Sequence, residues 1–278
     1  MPASTTPHGI VAAVDGSPAA RVAADWAARE AALRQVPLSI VHIAAVSSAH
    51  EPHGVLDDAV AVAERAVGGA SVGISTEQRD APVVESLVDR SATADMIVVG
   101  RRGLGRVGRR LLGSVSSALV RQARCPVAVI HDEDPLMDRP ATAPVVVGVD
   151  GSAVSEAATG IAFDEADRRG VDLVAVHAWS DFSADELHEG SWPDLQRQAM
   201  QLLVERLAPW AERHPSLTVR RVVVMDRPAR ELLRQSESAQ LTVVGSHGRG
   251  GLAGMLLGSV SAAVVESARM PVLVVRSR

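Results

Sequence analysis

The 278-residue chain contains no lysine and no tyrosine. All 28 basic residues are therefore arginine, which excludes a P-loop lysine, a Schiff-base lysine and a tyrosine general acid. One cysteine, Cys125, cannot form an internal disulfide and fits a reducing compartment. Aromatic residues make up 2% of the chain, too few to suggest stacking of a flavin ring. No apolar run reaches about 18 residues, so no membrane span is expected. The N-terminal MPASTTPHGIVAAVDG lacks the basic start of a signal peptide. A net charge of -5 gives no reason to expect nucleic acid or an anionic membrane as partner. The expected location is the cytoplasm.

What the chain does have, it has twice. Residues 98–130, VVGRRGLGRVGRRLLGSVSSALVRQARCPVAVI, align without a gap to 243–275, with 18 of 33 positions identical. Upstream, 12–42 align to 147–177 in the same way. The offset grows from 135 to 145 residues, which places about ten extra residues in 179–198 of the second half. A period this long marks a duplicated domain rather than a solenoid. The expected division is a first domain over 1–132, an acidic, proline-bearing linker over 133–143, and a second domain over 144–278.

Each half alternates short apolar runs with amphipathic ones. Half one predicts strands at 9–14, 37–43, 71–76, 95–100 and 126–131, with helices near 18–34, 55–67, 82–92 and 114–124. Half two predicts strands at 144–149, 172–178, 217–224, 241–245 and 271–276. Continuous β-branched runs are typical of strands covered on both faces. Strand–helix alternation then implies two doubly wound, five-stranded, parallel-sheet α/β domains of Rossmann-like type.

In such sheets ligands bind outside the carboxyl ends of the strands, at the switch point of strand order. Two features fall there. The first is Asp15-Gly16-Ser17, repeated as Asp150-Gly151-Ser152. The aspartate either accepts from a ligand hydroxyl or amine, or caps the following helix. The second is a G-x2-G-x9-G-S pattern: Gly100, Gly103, Gly113 and Ser114, repeated as Gly245, Gly248, Gly258 and Ser259. Glycines allow close backbone approach, and a helix N-terminus favours phosphate. The hydroxyls of Ser114, Ser116, Ser259 and Ser261 are candidate donors there. The plainer reading is a long glycine-rich connection ending in a capped helix.

Residues 103–108, GLGRVG, match the letters of the dinucleotide fingerprint. That fingerprint belongs to the first strand–helix turn, with the helix starting inside it. Here it follows the fourth predicted strand, and its second copy reads GRGGLA, so the match is discounted. Arg101, Arg102, Arg106, Arg109 and Arg110 either neutralise phosphate or form a solvated face. His42 and His177 recur at the end of strand two, as strand-end histidines or as proton-transfer groups.

Both halves resemble the universal stress protein domain, whose nucleotide-binding members carry G-x2-G-x9-G-(S/T). The resemblance covers nearly the whole chain and implies the fold of the adenine nucleotide alpha hydrolases, with ATP lying across the ends of strands one and four. It implies that Asp15 and Asp150 contact ribose or base-proximal groups, and that Ala13 and Gly148 lie near the base. Ile43 and Ala178 would meet adenine, while Val99, Gly100 and Gly103 line ribose and phosphates. Gly113, Ser114, Val115 and Ser116 would hold the triphosphate. Val244, Gly245, Gly248, Gly258, Ser259, Val260 and Ser261 are the second set. ATP or AMP is the implied ligand, with Mg2+ on the phosphates. The small Ala178 would leave the second base pocket looser.

The resemblance further implies pairing of the last strands between the two domains as a pseudo-dimer, with homodimerisation as an addition. Two functions stand side by side: a stress-response binding module with little or no turnover, and a slow ATPase or adenylyl-transferring enzyme. The chain has neither an SGGxDS loop nor an HxGH signature, and His247 faces Arg102 at the matching position of half one. These features favour the binding module.

Overall fold

The computed structural model describes residues 9–44, 54–103, 112–131, 141–179, 192–248 and 257–276. The chain divides between Asp134 and Pro135 into two compact units.

Unit 1 runs β1 (Ile10–Ala13), α1 (Pro18–Arg34), β2 (Leu38–Ala44), α2 (Val55–Val67), β3 (Ile74–Asp80), α3 (Val83–Arg90), β4 (Met96–Gly100), α4 (Ser114–Gln122) and β5 (Val127–Ile130). Its strands lie in the order β3-β2-β1-β4-β5. Every pairing is parallel, with Ala13 beside Val41 on one side and Val99 on the other. Strand order therefore reverses between β1 and β4, and their carboxyl ends define the switch point. Ile10, Val11 and Ala12 in β1 and Met96 to Val99 in β4 are buried, as strands covered by helices on both faces must be.

Unit 2 repeats the plan with β6 (Val145–Gly148), α5 (Ala153–Arg169), β7 (Leu173–Trp179), α6 (Trp192–Ala211), β8 (Val219–Met225), α7 (Pro228–Ser236), β9 (Leu241–Gly245), α8 (Ser259–Ser267) and β10 (Val272–Val275). The order is β8-β7-β6-β9-β10, again parallel. Both units are thus the doubly wound five-stranded α/β sheets expected from the sequence. The extra residues expected in 179–198 fall largely on 180–191, outside the described residues.

The first helix of each unit is alanine-rich because it must lie close to the sheet. Ala19, Ala20, Ala23, Ala24, Ala27, Ala28 and Ala31 of α1 are buried. A Cβ placed on Gly100, at the end of β4, would stand 2.8 Å from the Ala19 backbone. Here the glycine allows a helix and a strand end to touch. α1 starts on Ser17, whose Oγ accepts from Ala20 N–H at 3.2 Å, and α5 starts on Ser152, whose Oγ accepts from Ser155 N–H at 3.2 Å.

One element departs from its expected span by more than two residues at an end. The third strand, expected at 71–76, runs from Ile74 to Asp80 and is largely exposed. It is the outer strand of unit 1 and pairs on one side only, with β2. Its polar sequence ISTEQRD does not look like a strand buried on both faces, so an apolar run marks its position three residues too early.

Candidate functional site

At the switch point of unit 1 lies a cavity of about 320 Å³, within the range of small-molecule sites. Its walls come from the ends of β1, β2 and β4, from α3, and from the start of α4. All ten residues expected from half one line it: Ala13, Asp15, Ile43, Val99, Gly100, Gly103, Gly113, Ser114, Val115 and Ser116. Sequence reasoning missed Val14, Ala20, Val41, Val83 and Leu87, which also line it. Val83 and Leu87 belong to α3, whose apolar face crosses the strand ends. That helix was legible in sequence, but its position over the cavity follows from the crossover alone. Arg102 lines the cavity as well, while Arg106, Arg109 and Arg110 lie outside the described residues.

Asp15 follows the last β1 residues as the chain turns toward α1. Its Oδ1 accepts from Ser17 N–H at 3.0 Å, closing a side-chain turn over Gly16, which sits at φ 82°. Its Oδ2 lies against Gly103, where an added Cβ would overlap it. Capping of α1 therefore falls to Ser17, and the aspartate itself braces the two glycine-bearing loops together. Ser17 adds a tie by donating to Arg102 O at 3.4 Å.

The long excursion after β4 is closed at its base. Arg101 N–H donates to Ile130 O at 2.6 Å, and Gly113 N–H donates back to Arg101 O at 2.9 Å. Gly113 is the N-cap of α4 and supplies no side-chain cap, and the first turn contains no carboxylate. The N-terminal N–H groups and their partial positive charge therefore face the cavity without an acidic side chain of α4 to offset them. Ser114 is exposed, whereas Ser116 is buried and donates to Gly100 O at 2.7 Å. The Ser116 proton is thus committed to the end of β4 rather than offered to a ligand.

Behind the loop, His131 is buried at the end of β5, and its Nε2 has no hydrogen-bond partner among the described residues. Burial, followed by the nearby Arg102 guanidinium, pushes the imidazole down to about 4, so it is neutral near pH 7.

Unit 2 repeats the main bonds of this construction and adds one, from Asp150 N–H to Ser155 Oγ at 3.0 Å, where unit 1 has Ala20. Asp150 Oδ1 accepts from Ser152 N–H at 2.8 Å, and its Oδ2 lies where a Cβ on Gly248 would be. Gly258 N–H donates to Ser246 O at 2.7 Å, and Gly258 is likewise an uncapped N-cap, of α8. Ser259 is exposed, and Ser261 donates to Gly245 O at 2.5 Å. Val244 and Gly245 end β9, Val260 lies in the first turn of α8, and Ala178 lies near the end of β7. A Cβ on Gly148 would stand 3.1 Å from Leu232 of α7, the counterpart of the cavity-lining Leu87. Ala13 stands at the matching position in half one.

His42 and His177 are buried, and their Nδ1 atoms lie 2.8 Å from Val14 O and 2.7 Å from Val149 O. Both sit at strand ends and brace the turn that carries the aspartate. Among the described residues, no group of three or more His, Cys, Asp or Glu has metal-site geometry.

The arrangement agrees with what the chain resembles. The model of the universal stress protein family matches residues 8–131 and again 142–276. A universal stress protein of Mycobacterium tuberculosis is 50% identical over 293 residues, covering 99% of each chain. A second one from that organism is 50% identical over 286 residues, covering 97% of each. The crystal structure of a universal stress protein from Archaeoglobus fulgidus superposes with a TM-score of 0.66 over 97% of this chain and 98% of that one, at 19% identity, which speaks for the fold. The chain belongs to the universal stress protein family and carries the family's domain twice.

Proposed function

We propose that the chain is an adenine-nucleotide-binding regulatory protein that takes ATP at the switch point of each unit and acts by binding rather than by turnover. The observation that carries this reading is the cavity of unit 1. It joins an apolar end, made by Val41, Ile43, Val83 and Leu87, to a polar end made by Asp15, Gly103 and the uncapped start of α4. A base fits the apolar end, and phosphates fit the helix N-terminus. Between them stands the Asp15 carboxylate, an acceptor of the kind that ribose hydroxyls meet. The same bonds recur around Asp150, Gly248, Gly258 and Ser259, which supports a second site in unit 2.

The phosphates would bring Mg2+ with them. Such an ion keeps much of its water and needs few protein ligands, which suits walls whose described residues hold no carboxylate cluster. Binding without turnover suits a site in which Asp15, the one carboxylate among the described lining residues, serves as a brace. A cytoplasmic location suits a chain whose single cysteine, Cys125, is buried. No helix among the described residues is long and apolar enough to cross a membrane.

The test is to denature the purified protein, weigh the small molecules released, and then titrate the nucleotide-free chain with ATP. The reading predicts an adenine nucleotide among them and no sustained ADP release during incubation. The absence of adenine nucleotide, with no ATP binding tighter than about 1 mM (roughly -4 kcal/mol), would contradict it. Steady ADP release would instead favour an ATPase.

A further inference from the structure

A parallel ladder alternates bonds given and accepted by every second residue of a strand. In unit 1, Ile10 N–H donates to Pro37 O at 2.9 Å and Val14 N–H donates to Val41 O at 2.9 Å. The next rung of that ladder runs from Ile43 N–H to Val14 O. No such bond is found among the described residues; Val14 O is met by His42 Nδ1 at 2.8 Å. Unit 2 makes the same exchange. Val145 N–H donates to Asp172 O at 3.0 Å and Val149 N–H to Val176 O at 2.8 Å, and then His177 Nδ1 replaces Ala178 N–H at Val149 O, at 2.7 Å. A carbonyl oxygen only accepts, so each ring carries a proton on Nδ1.

The consequence is a backbone donor left over at a chosen place. Ile43 lies on β2 just beyond the end of β1 and lines the cavity. Ladder alternation directs its N–H toward the β1 side, where the chain has already turned away at Asp15. A half-buried N–H with no strand partner calls for an acceptor from elsewhere.

We propose that His42 and His177 are positioning residues that stop the ladder one rung early and so release the N–H of Ile43 and of Ala178 to the ring nitrogen of a bound base. This rests on the nucleotide reading above and adds how the base edge is exposed. It also accounts for why a buried imidazole, rather than an aliphatic side chain, stands at the end of both second strands.

The experiment compares ATP with 1-deaza-ATP, which lacks the acceptor nitrogen, on the full chain by calorimetry. The wild type is expected to prefer ATP about tenfold, the worth of one hydrogen bond. His42→Leu with His177→Leu lets the rung close, so the preference should vanish while 1-deaza-ATP binds as before. His42→Asn with His177→Asn carries an amide N–H near the Nδ1 position and should restore the preference. A loss confined to general packing would weaken both ligands alike in the leucine variant, and that result overturns the inference, as does a leucine variant that keeps the tenfold preference. Should the leucine variant not fold, 15N spectra of the wild-type imidazoles decide: protonated Nδ1 supports the inference, and protonated Nε2 overturns it. A wild type that binds neither ligand removes the nucleotide reading itself, and the inference with it.

Discussion

The Asp15 carboxylate lies against Gly103, and Asp150 stands in the same relation to Gly248, so closely that a methyl group on either glycine would overlap Oδ2. The aspartate and the second glycine of G-x2-G are therefore one device. The glycine makes room for the carboxylate, and the carboxylate locks the turn before the first helix onto the loop after the fourth strand.

That coupling predicts the outcome of Gly103→Ala with Gly248→Ala. The added methyls must displace both carboxylates, at about 1–3 kcal/mol per site by the usual cost of overpacking. ATP affinity should fall by at least about tenfold. Adding Asp15→Ala with Asp150→Ala should recover part of the thermal stability, because the overlap is gone while the bonds to Ser17 and Ser152 N–H are lost, without recovering affinity. Melting curves and calorimetry read the two effects separately. Full affinity in the glycine variants would show that the carboxylates do not set the site.

A second prediction concerns pH. The His131 imidazole is pushed from 6.5 down to about 4 in the folded chain, by burial first and Arg102 second. The unfolded chain then binds more protons below about 6.5, so this histidine leaves stability untouched above that pH and lowers it as pH falls toward 4. The loss amounts to as much as about 3 kcal/mol. His131→Leu should remove that part of the acid slope in urea unfolding measured from pH 7 to pH 4. At pH 7 the substitution should cost little, since Nε2 has no partner to lose among the described residues. An unchanged acid slope would assign the loss to other groups.

The third uses the duplication as an internal control. α1 ends on Gln35 in the left-handed region at φ 55°, and α5 ends on Gly170 at φ 63°. The two positions match in the alignment of the halves. Gln35→Gly should therefore stabilise unit 1 by about 1 kcal/mol, because glycine adopts this conformation without a Cβ penalty. Gly170→Gln should destabilise unit 2 by a similar amount. Chemical denaturation of both variants checks the signs.

The duplication made the fold legible. A helix over 18–34 and another over 55–67 stand where their caps and periodicity place them, and the buried strands lie within a residue or two of their apolar runs. β3 moved because an outer strand paired on one side needs little apolar sequence. In the site, glycine spacing and the strand-one aspartate identified residues that converge on one cavity. They did not reveal that Asp15 packs on Gly103, which is a contact between loops 88 residues apart. Nor did they reveal Val41, Val83 and Leu87, because apolar residues at strand and helix positions read as ordinary core until the crossover of α3 is seen. The proton of Ser116, taken in sequence as a phosphate donor, goes to Gly100 O, a bond set by the depth of the first α4 turn.

The central claim is that nucleotide occupies the switch point in each unit, with its base at the apolar end. Photolabelling with 8-azido-ATP, followed by peptide mapping, tests this most directly. Label should appear on peptides carrying Val41–Ile43 or Val83–Leu87 and on the unit 2 peptide carrying Val176–Ala178, and excess ATP should prevent it. Label on other peptides, or label that ATP does not displace, would contradict the account.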